Sequence, residues 1–106
     1  MLSPLDKIFY PTSIAIIGAS SKEGSLSYEL VNNLINYRYN GKIFPVNPKS
    51  DSVHSIKSYR TIKDITDDID LAILMLPRHL VLPAIDDCAV KKIESVVVIT
   101  AGFKET

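Results

Sequence analysis

Residues 14–25 place an apolar segment, a short Gly/Ser loop and the beginning of a helix directly one after another. The apolar residues end at Gly18, and the loop reaches Gly24 and Ser25 before a helical pattern starts. Such a loop lets backbone N–H groups approach an anion, and the helix dipole favours negative charge at the same place. The segment therefore indicates either a phosphate-binding turn of an α/β sheet or an ordinary turn of such a sheet.

Three further apolar segments repeat this strand pattern, and helical patterns separate them. The four predicted strands are residues 13–18, 42–46, 71–76 and 95–100, and the predicted helices are 25–38 and 79–91 with a short one within 59–65. Because residues 14–17 and 71–76 are continuously apolar, they indicate a parallel sheet that is covered on both faces. The alternation predicts an α/β fold with helices on both faces and right-handed crossovers. Numbered along the chain, the strands are expected in the order 3-2-1-4.

Two details of this prediction concern the connections. Residues 50–58 are polar and are expected to form a loop. Pro83 is expected in the first turn of its helix, because a proline further inside would disrupt the helix.

The loops that follow the four strands meet at one edge of such a sheet. Ligands of open α/β sheets bind at the carboxyl ends of the strands, where the strand order reverses. The predicted order puts that switch point between the first and fourth strands. The loops expected around one crevice are Gly18–Ser25, Asn47–Lys49, Pro77–His79 and Thr100–Gly102.

The residues in these loops favour coenzyme A over NAD. The dinucleotide fingerprint Gly-x-Gly-x-x-Gly would need a glycine at position 20, which is Ser20. In NAD-binding folds an acidic residue near the end of the second strand holds the ribose, whereas this chain has Lys49 there. An ammonium group attracts a ribose phosphate. Lys49 is thus compatible with CoA, which carries a 3′-phosphate, or with NADP, although the glycine spacing makes NADP the weaker choice.

Composition excludes several other classes of function. The chain has 106 residues with 12 basic and 12 acidic side chains, so nothing indicates nucleic-acid or membrane partners. The start lacks the features of a signal peptide, which predicts a cytoplasmic protein.

Cys88, the only cysteine, lies on an apolar helix stripe and is interpreted as a buried structural thiol. His54 is interpreted as a surface residue of a polar loop and His79 as a residue at the edge of the crevice.

The remaining candidate chemistry is weak. The acidic residues Asp64, Asp67, Asp68 and Asp70 are interpreted as a solvated turn rather than a metal site. No residue of the chain is a convincing nucleophile or general base. The sequence therefore predicts no catalytic residue and no metal ligand here.

Several segments together resemble a known family. They are Ile-Gly-Ala-Ser at the first strand, Gly41–Lys49, Asp70–Ile73 and Val-Val-Ile-Thr-Ala-Gly-Phe-Lys-Glu near the end. The chain resembles the CoA-binding domain of ADP-forming acyl-CoA synthetases, the acetate–CoA ligase family, and more distantly the alpha subunit of succinyl-CoA synthetase. This resemblance implies a Rossmann-like fold, with residues 1–106 as one CoA-binding domain at the N-terminus of a larger protein.

The resemblance also implies a set of contacts with CoA. The loop after the first strand would hold the CoA phosphates, the loop after the second would meet the nucleotide end, Pro77 would form part of the wall, and the end of the fourth strand would add contacts. The implied binding residues are Gly18, Ser20, Ser21, Lys22, Glu23, Gly24, Ser25, Asn47, Pro48, Lys49, Pro77, Ile99, Thr100 and Ala101.

In the family, acyl transfer runs through a phosphorylated histidine in a later domain and an ATP-grasp domain. The chain would then bind CoA or acyl-CoA, positioned for attack on an acyl phosphate, without performing chemistry alone. Two alternatives remain, a free-standing module that binds or senses CoA and part of a protein acetyltransferase fusion. The fourth strand lies near the end of the chain, so its open edge predicts pairing into a homodimer.

Overall fold

Four parallel strands form the central sheet of the protein in the computed structural model, which describes residues 9–20 and 22–99. These strands are β1 (Ser13–Ile17), β2 (Lys42–Val46), β5 (Leu71–Leu74) and β6 (Ser95–Val98). Within these residues, two helices and a short hairpin accompany the sheet: α1 (Leu26–Asn36), α2 (Arg78–Val90), β3 (Ser52–Val53) and β4 (Ile56–Lys57). A 3-10 turn, Ile62–Asp64, lies where a short helix was predicted. The α/β, Rossmann-like class is confirmed.

The order of the strands corrects the prediction. The sheet runs β2-β1-β5-β6, which is 2-1-3-4 for the four predicted strands, not 3-2-1-4. The outer edge of β2 is already occupied, because Tyr59 N donates to Pro45 O at 2.9 Å and Asn47 N donates to Tyr59 O at 2.8 Å. Pro45 also has no N–H to offer on that side, so β2 is suited to the edge of the sheet.

The strand β5 instead lies beside β1 and is fixed there at its amino end. The carboxylate of Asp70 accepts hydrogen bonds from the N–H and the hydroxyl of Thr12, both at 2.8 Å. Ser13 Oγ donates to Asp68 O at 3.1 Å and accepts from Asp70 N at 2.9 Å. The topological switch point consequently lies between β1 and β5, and not between β1 and β6 as predicted.

Helices cover both faces of the sheet, as predicted. On one face, Ala84 and Cys88 of α2 pack over Leu74 and its neighbours. On the other face, Val31 of α1 packs with Ile16 in a second cluster. Leu74, Val31 and Ile16 are fully buried, and burial of such a side chain contributes about 1.5–3 kcal/mol. The two clusters hold the carboxyl ends of the strands in a fixed arrangement.

The helix ends and the region after β2 differ in detail from expectation. Residues 50–58 contain the hairpin β3–β4 rather than an irregular loop, with His54 and Ser55 at φ 54° and 64° in its turn. Two consecutive left-handed residues are typical of a tight hairpin turn. Pro83 lies in the second turn of α2, not the first, since the helix begins at Arg78. Neither helix of the described chain is long and apolar enough to cross a membrane.

Candidate functional site

The loops after β1 and β2 meet at the carboxyl edge of the sheet. Both Gly18 N and Ala19 N donate to Val46 O, at 3.1 and 3.2 Å. Gly18 has a φ of 98°, and a Cβ atom at this position would collide with the carbonyl oxygen of Met75. Only glycine therefore lets the chain leave β1 this close to the end of β5, which is where the strand order reverses.

The loop between β1 and α1 uses its hydroxyl groups to hold its own shape. Ser20 Oγ accepts from Lys22 N at 2.9 Å. Ser25 is the N-cap of α1, where its Oγ accepts from Tyr28 N at 3.2 Å and donates to Lys22 O at 2.9 Å. The proton of the Ser25 hydroxyl is thus engaged inside the loop, although Ser25 is among the residues that the sequence predicts to contact CoA.

The tip of this loop is open to solvent. Lys22, Glu23 and Gly24 are all exposed. Gly24 has a φ of 92°, and a Cβ atom there would meet nothing within 4 Å. The loop that leads into α1 is therefore open to solvent at residues 22–24. Ser21 lies outside the described residues.

Asn47 connects the two loops. Its Nδ2 donates to Ala19 O at 2.8 Å, and its Oδ1 accepts from Lys49 N at 2.7 Å. Both ends of this half-buried amide are engaged within the protein, so Asn47 fixes the position of the loops relative to each other. Sequence reasoning placed Asn47 at the site but described it as a ligand contact.

Pro48 and Lys49 are exposed at the turn that Asn47 holds. Arg60, which sequence reasoning missed, lies beneath this turn. Its Nη1 donates to Pro48 O at 2.8 Å, and its Nη2 donates to the Asp51 carboxylate at 2.9 Å. The site consequently has two cationic side chains, Lys49 and Arg60, attached to one short turn.

A cleft of about 280 Å³ opens between these loops and the first three turns of α2. Its walls are mainly apolar, with Arg60, Thr61 and Asp87 as the polar residues. Pro77, predicted as a wall residue, lies at the N-cap of α2. The lining is formed by Ile17, Gly18, Val46, Pro48, Arg60, Thr61, Ile62, Leu76, Leu80, Pro83, Ala84 and Asp87. An apolar cleft with a few polar groups at its rim suits a nucleobase or another flat organic group.

The end of β6 lies further along the same edge. Ile99 N donates to Leu74 O at 2.8 Å, which continues the pairing of β6 with β5 by one residue. The other predicted contacts at this strand, Thr100 and Ala101, lie outside the described residues.

Of the two other residues that were interpreted from the sequence, His54 has different surroundings from those expected, whereas Cys88 is buried as expected. The His54 ring is half-buried, 4.0 Å from the Tyr28 ring, with Nε2 at 3.2 Å from Tyr28 O, and is not a free surface side chain. Burial, with a smaller effect of the Asp87 carboxylate, raises the pKa of the Cys88 thiol above its usual range. A buried thiol with a raised pKa is a poor nucleophile, which fits the structural role predicted for Cys88.

The acidic residues near β5 form hydrogen bonds that fix the sheet, or an ion pair at the surface. Asp67 contacts Lys42 Nζ at 2.9 Å, and this hydrogen bond lowers the pKa of Asp67 and raises that of Lys42. Asp70 holds Thr12, as described above. Within residues 9–20 and 22–99, no cluster of His, Cys, Asp and Glu side chains is arranged to hold a metal ion.

Comparison with known proteins agrees with this geometry. Residues 12–106 match the family described as CoA binding domain. The chain belongs to this family. The resemblance read from the sequence is thereby confirmed.

The relatives of this CoA-binding domain are acid–CoA ligases. It is 46% identical over 101 residues to an ADP-forming acetate–CoA ligase of Methanocaldococcus jannaschii, covering 95% of the chain and 14% of that protein. It is 42% identical over 102 residues to the ADP-forming acetate–CoA ligase II subunit alpha of Pyrococcus furiosus, covering 96% of the chain and 22% of that subunit. The chain therefore spans less than a quarter of the length of either relative.

A solved structure has the same fold as this chain, and its sequence is similar as well. The apo form of a dinucleotide forming acetyl-coenzyme A synthetase 1 from Ca. Korarchaeum cryptofilum matches with a TM-score of 0.88 and 36% sequence identity. The match covers 93% of this chain and 22% of that one. The CoA-binding domain thus has the same fold as the part of this synthetase that it matches.

Proposed function

We propose that this domain binds CoA across the carboxyl edge of its sheet, as the N-terminal part of an ADP-forming acyl-CoA synthetase. The observation that carries the proposal is the Asn47 amide, which joins the glycine loop after β1 to the cationic turn after β2. One loop offers backbone N–H groups at a helix N-terminus, and the other offers ammonium and guanidinium groups. CoA has a diphosphate and a separate 3′-phosphate, so it needs two such anion sites.

The proposed contacts follow from this arrangement. The exposed backbone between Lys22 and the start of α1 meets the diphosphate, because the first N–H groups of a helix lack intrahelical partners. Lys49 meets the ribose 3′-phosphate. The apolar cleft accepts the adenine or the adjoining part of the ligand. Ser20 and Ser25 shape the loop. Ser21, Thr100 and Ala101 are proposed as CoA contacts only because the chain resembles the acyl-CoA synthetase family.

CoA is a substrate in this proposal, not a resident cofactor. In the complete synthetase its thiol sulfur would attack the carbonyl carbon of an acyl phosphate, so that a thioester forms and inorganic phosphate leaves. The phosphohistidine and ATP-grasp domains that supply the acyl phosphate would lie elsewhere in the protein. The relatives' printed names, ADP-forming acetate–CoA ligases, support this reaction. The chain alone should bind CoA but form no acetyl-CoA from acetate, ATP and CoA.

Calorimetric titration with CoA, dephospho-CoA and NAD tests the binding proposal. CoA should bind, dephospho-CoA should bind more weakly because it lacks the 3′-phosphate, and NAD should show no measurable binding. Lys49→Ala should reduce the preference for CoA over dephospho-CoA. Lys92→Ala is the matched control, since Lys92 is an exposed lysine after the end of α2 and should leave binding unchanged. Binding of NAD without binding of CoA would overturn the proposal.

A further inference from the structure

Arg60 occupies a position that the proposed CoA site does not yet use. Its guanidinium donates to Pro48 O, the carbonyl of the peptide bond that leads into Lys49, and it also lines the apolar cleft. The side chain is therefore placed between the cleft and the backbone of the lysine that we assign to the 3′-phosphate.

We propose that Arg60 is a specificity-determining residue, which forms with Lys49 a two-cation site for a phosphate monoester on the ribose of the ligand. The inference rests on the proposed function. It adds Arg60 to the proposed site and states which ligands the site selects. Ligands with this phosphate are selected over otherwise identical ligands without it.

The guanidinium has donors to spare in this position. Arginine has five N–H donors, of which one goes to Pro48 O and one to the Asp51 carboxylate. The fixed fork of a guanidinium matches two oxygens of a phosphate, whereas an ammonium acts as a point charge. Lys49 makes no ion pair within the described part of the chain, so its charge is also available.

Asp51 holds Arg60 only weakly when no ligand is bound. The side chains of Arg60 and Asp51 are 58% and 86% exposed, and an ion pair this exposed contributes little to stability. A phosphate monoester carries up to two negative charges near neutral pH and three acceptor oxygens. It should therefore displace the Asp51 carboxylate from the guanidinium, while the hydrogen bond to Pro48 O can stay in place.

The test measures binding of CoA and dephospho-CoA to the whole chain and its variants by titration calorimetry. Loss of a hydrogen-bonded charge contact changes affinity by ~10-fold or more. Arg60→Ala should weaken CoA binding ~10-fold or more and change dephospho-CoA binding less than about 2-fold. Asp51→Asn should strengthen CoA binding, because the competing carboxylate is removed, and should not affect dephospho-CoA. Arg38→Ala is the matched control, since Arg38 is an exposed arginine just beyond α1.

The possible results separate this inference from the proposed function. If Arg60→Ala keeps the wild-type preference for CoA, or weakens both ligands equally, Arg60 does not select the phosphate and the inference is wrong. If the wild-type chain binds neither ligand, the proposed function itself fails. Urea denaturation of each variant shows that the compared proteins are folded. A loss of preference in Arg60→Ala, with the preference intact in Arg38→Ala, supports the inference.

Discussion

Replacement of Asn47 tests the idea that one amide holds the two halves of the site together. Asn47→Ala removes the hydrogen bonds to Ala19 O and from Lys49 N. At about 0.5–1.5 kcal/mol for each bond, the free energy of unfolding should fall by about 1–3 kcal/mol. CoA affinity should fall as well, because the cationic turn loses its fixed position relative to the glycine loop. Asn47→Asp keeps the acceptor for Lys49 N but loses the donor to Ala19 O, so it separates the two contributions.

Urea denaturation followed by circular dichroism gives the free energy of unfolding, and calorimetry on the same samples gives the affinity. Asn40→Ala is the control, since Asn40 is an exposed asparagine in a loop and should change neither quantity. A variant at position 47 that loses CoA affinity but keeps the stability of the Asn40→Ala control would refute the reasoning. In that case the amide would contact the ligand and would not connect the loops.

Two further predictions concern the backbone and the core. Gly24→Ala should lose about 1–2 kcal/mol of unfolding free energy from its left-handed backbone alone, and Gly18→Ala should lose clearly more, because its Cβ would also collide with Met75 O; equal losses in urea denaturation would contradict the collision. Because burial raises the pKa of the Cys88 thiol, the folded state favours the protonated form, so stability should fall as the pH rises past the ordinary thiol pKa of about 8.5. Urea midpoints between pH 7 and pH 9.5 should show this decline in the wild type and a smaller one in Cys88→Ala; identical slopes would refute it.

The fold class could be predicted from the sequence, whereas the strand order could not be obtained from the alternation of elements alone. Apolar segments that end at Gly18 and Pro77 specify strands, but they do not say which edge of β1 receives β5. The edge position of β2 could have been inferred from Pro45. A proline in a strand favours an edge, and β2 does lie at the edge of the sheet with its outer side covered by Tyr59. The hairpin β3–β4 was missed because each strand has only two residues, too short for any periodic pattern.

The sequence predicted which loops meet at the carboxyl edge of the sheet, but not the contacts that their residues make with one another. The positions of Gly18, Asn47 and Lys49 follow from their location directly after strands. The roles depend on contacts between residues far apart in the chain, such as Asn47 with Ala19 and Arg60 with Pro48, which are 28 and 12 residues apart. A single sequence contains no pattern that pairs such residues, so Arg60 looked like any surface arginine.

These contacts separate the groups that shape the loops from the groups that are available to a ligand. The side chains with hydroxyl and amide groups, Ser20, Ser25 and Asn47, are engaged in shaping the loops. In the proposed function, the groups that would meet an anion are the backbone at the start of α1 and the cations of Lys49 and Arg60. A ligand bound in this way is recognised by the spacing of its negative charges more than by the chemistry of its acyl end. The proposed function therefore predicts that the same kind of domain suits ligases for different acids, because the substrate it would present to each of them is CoA.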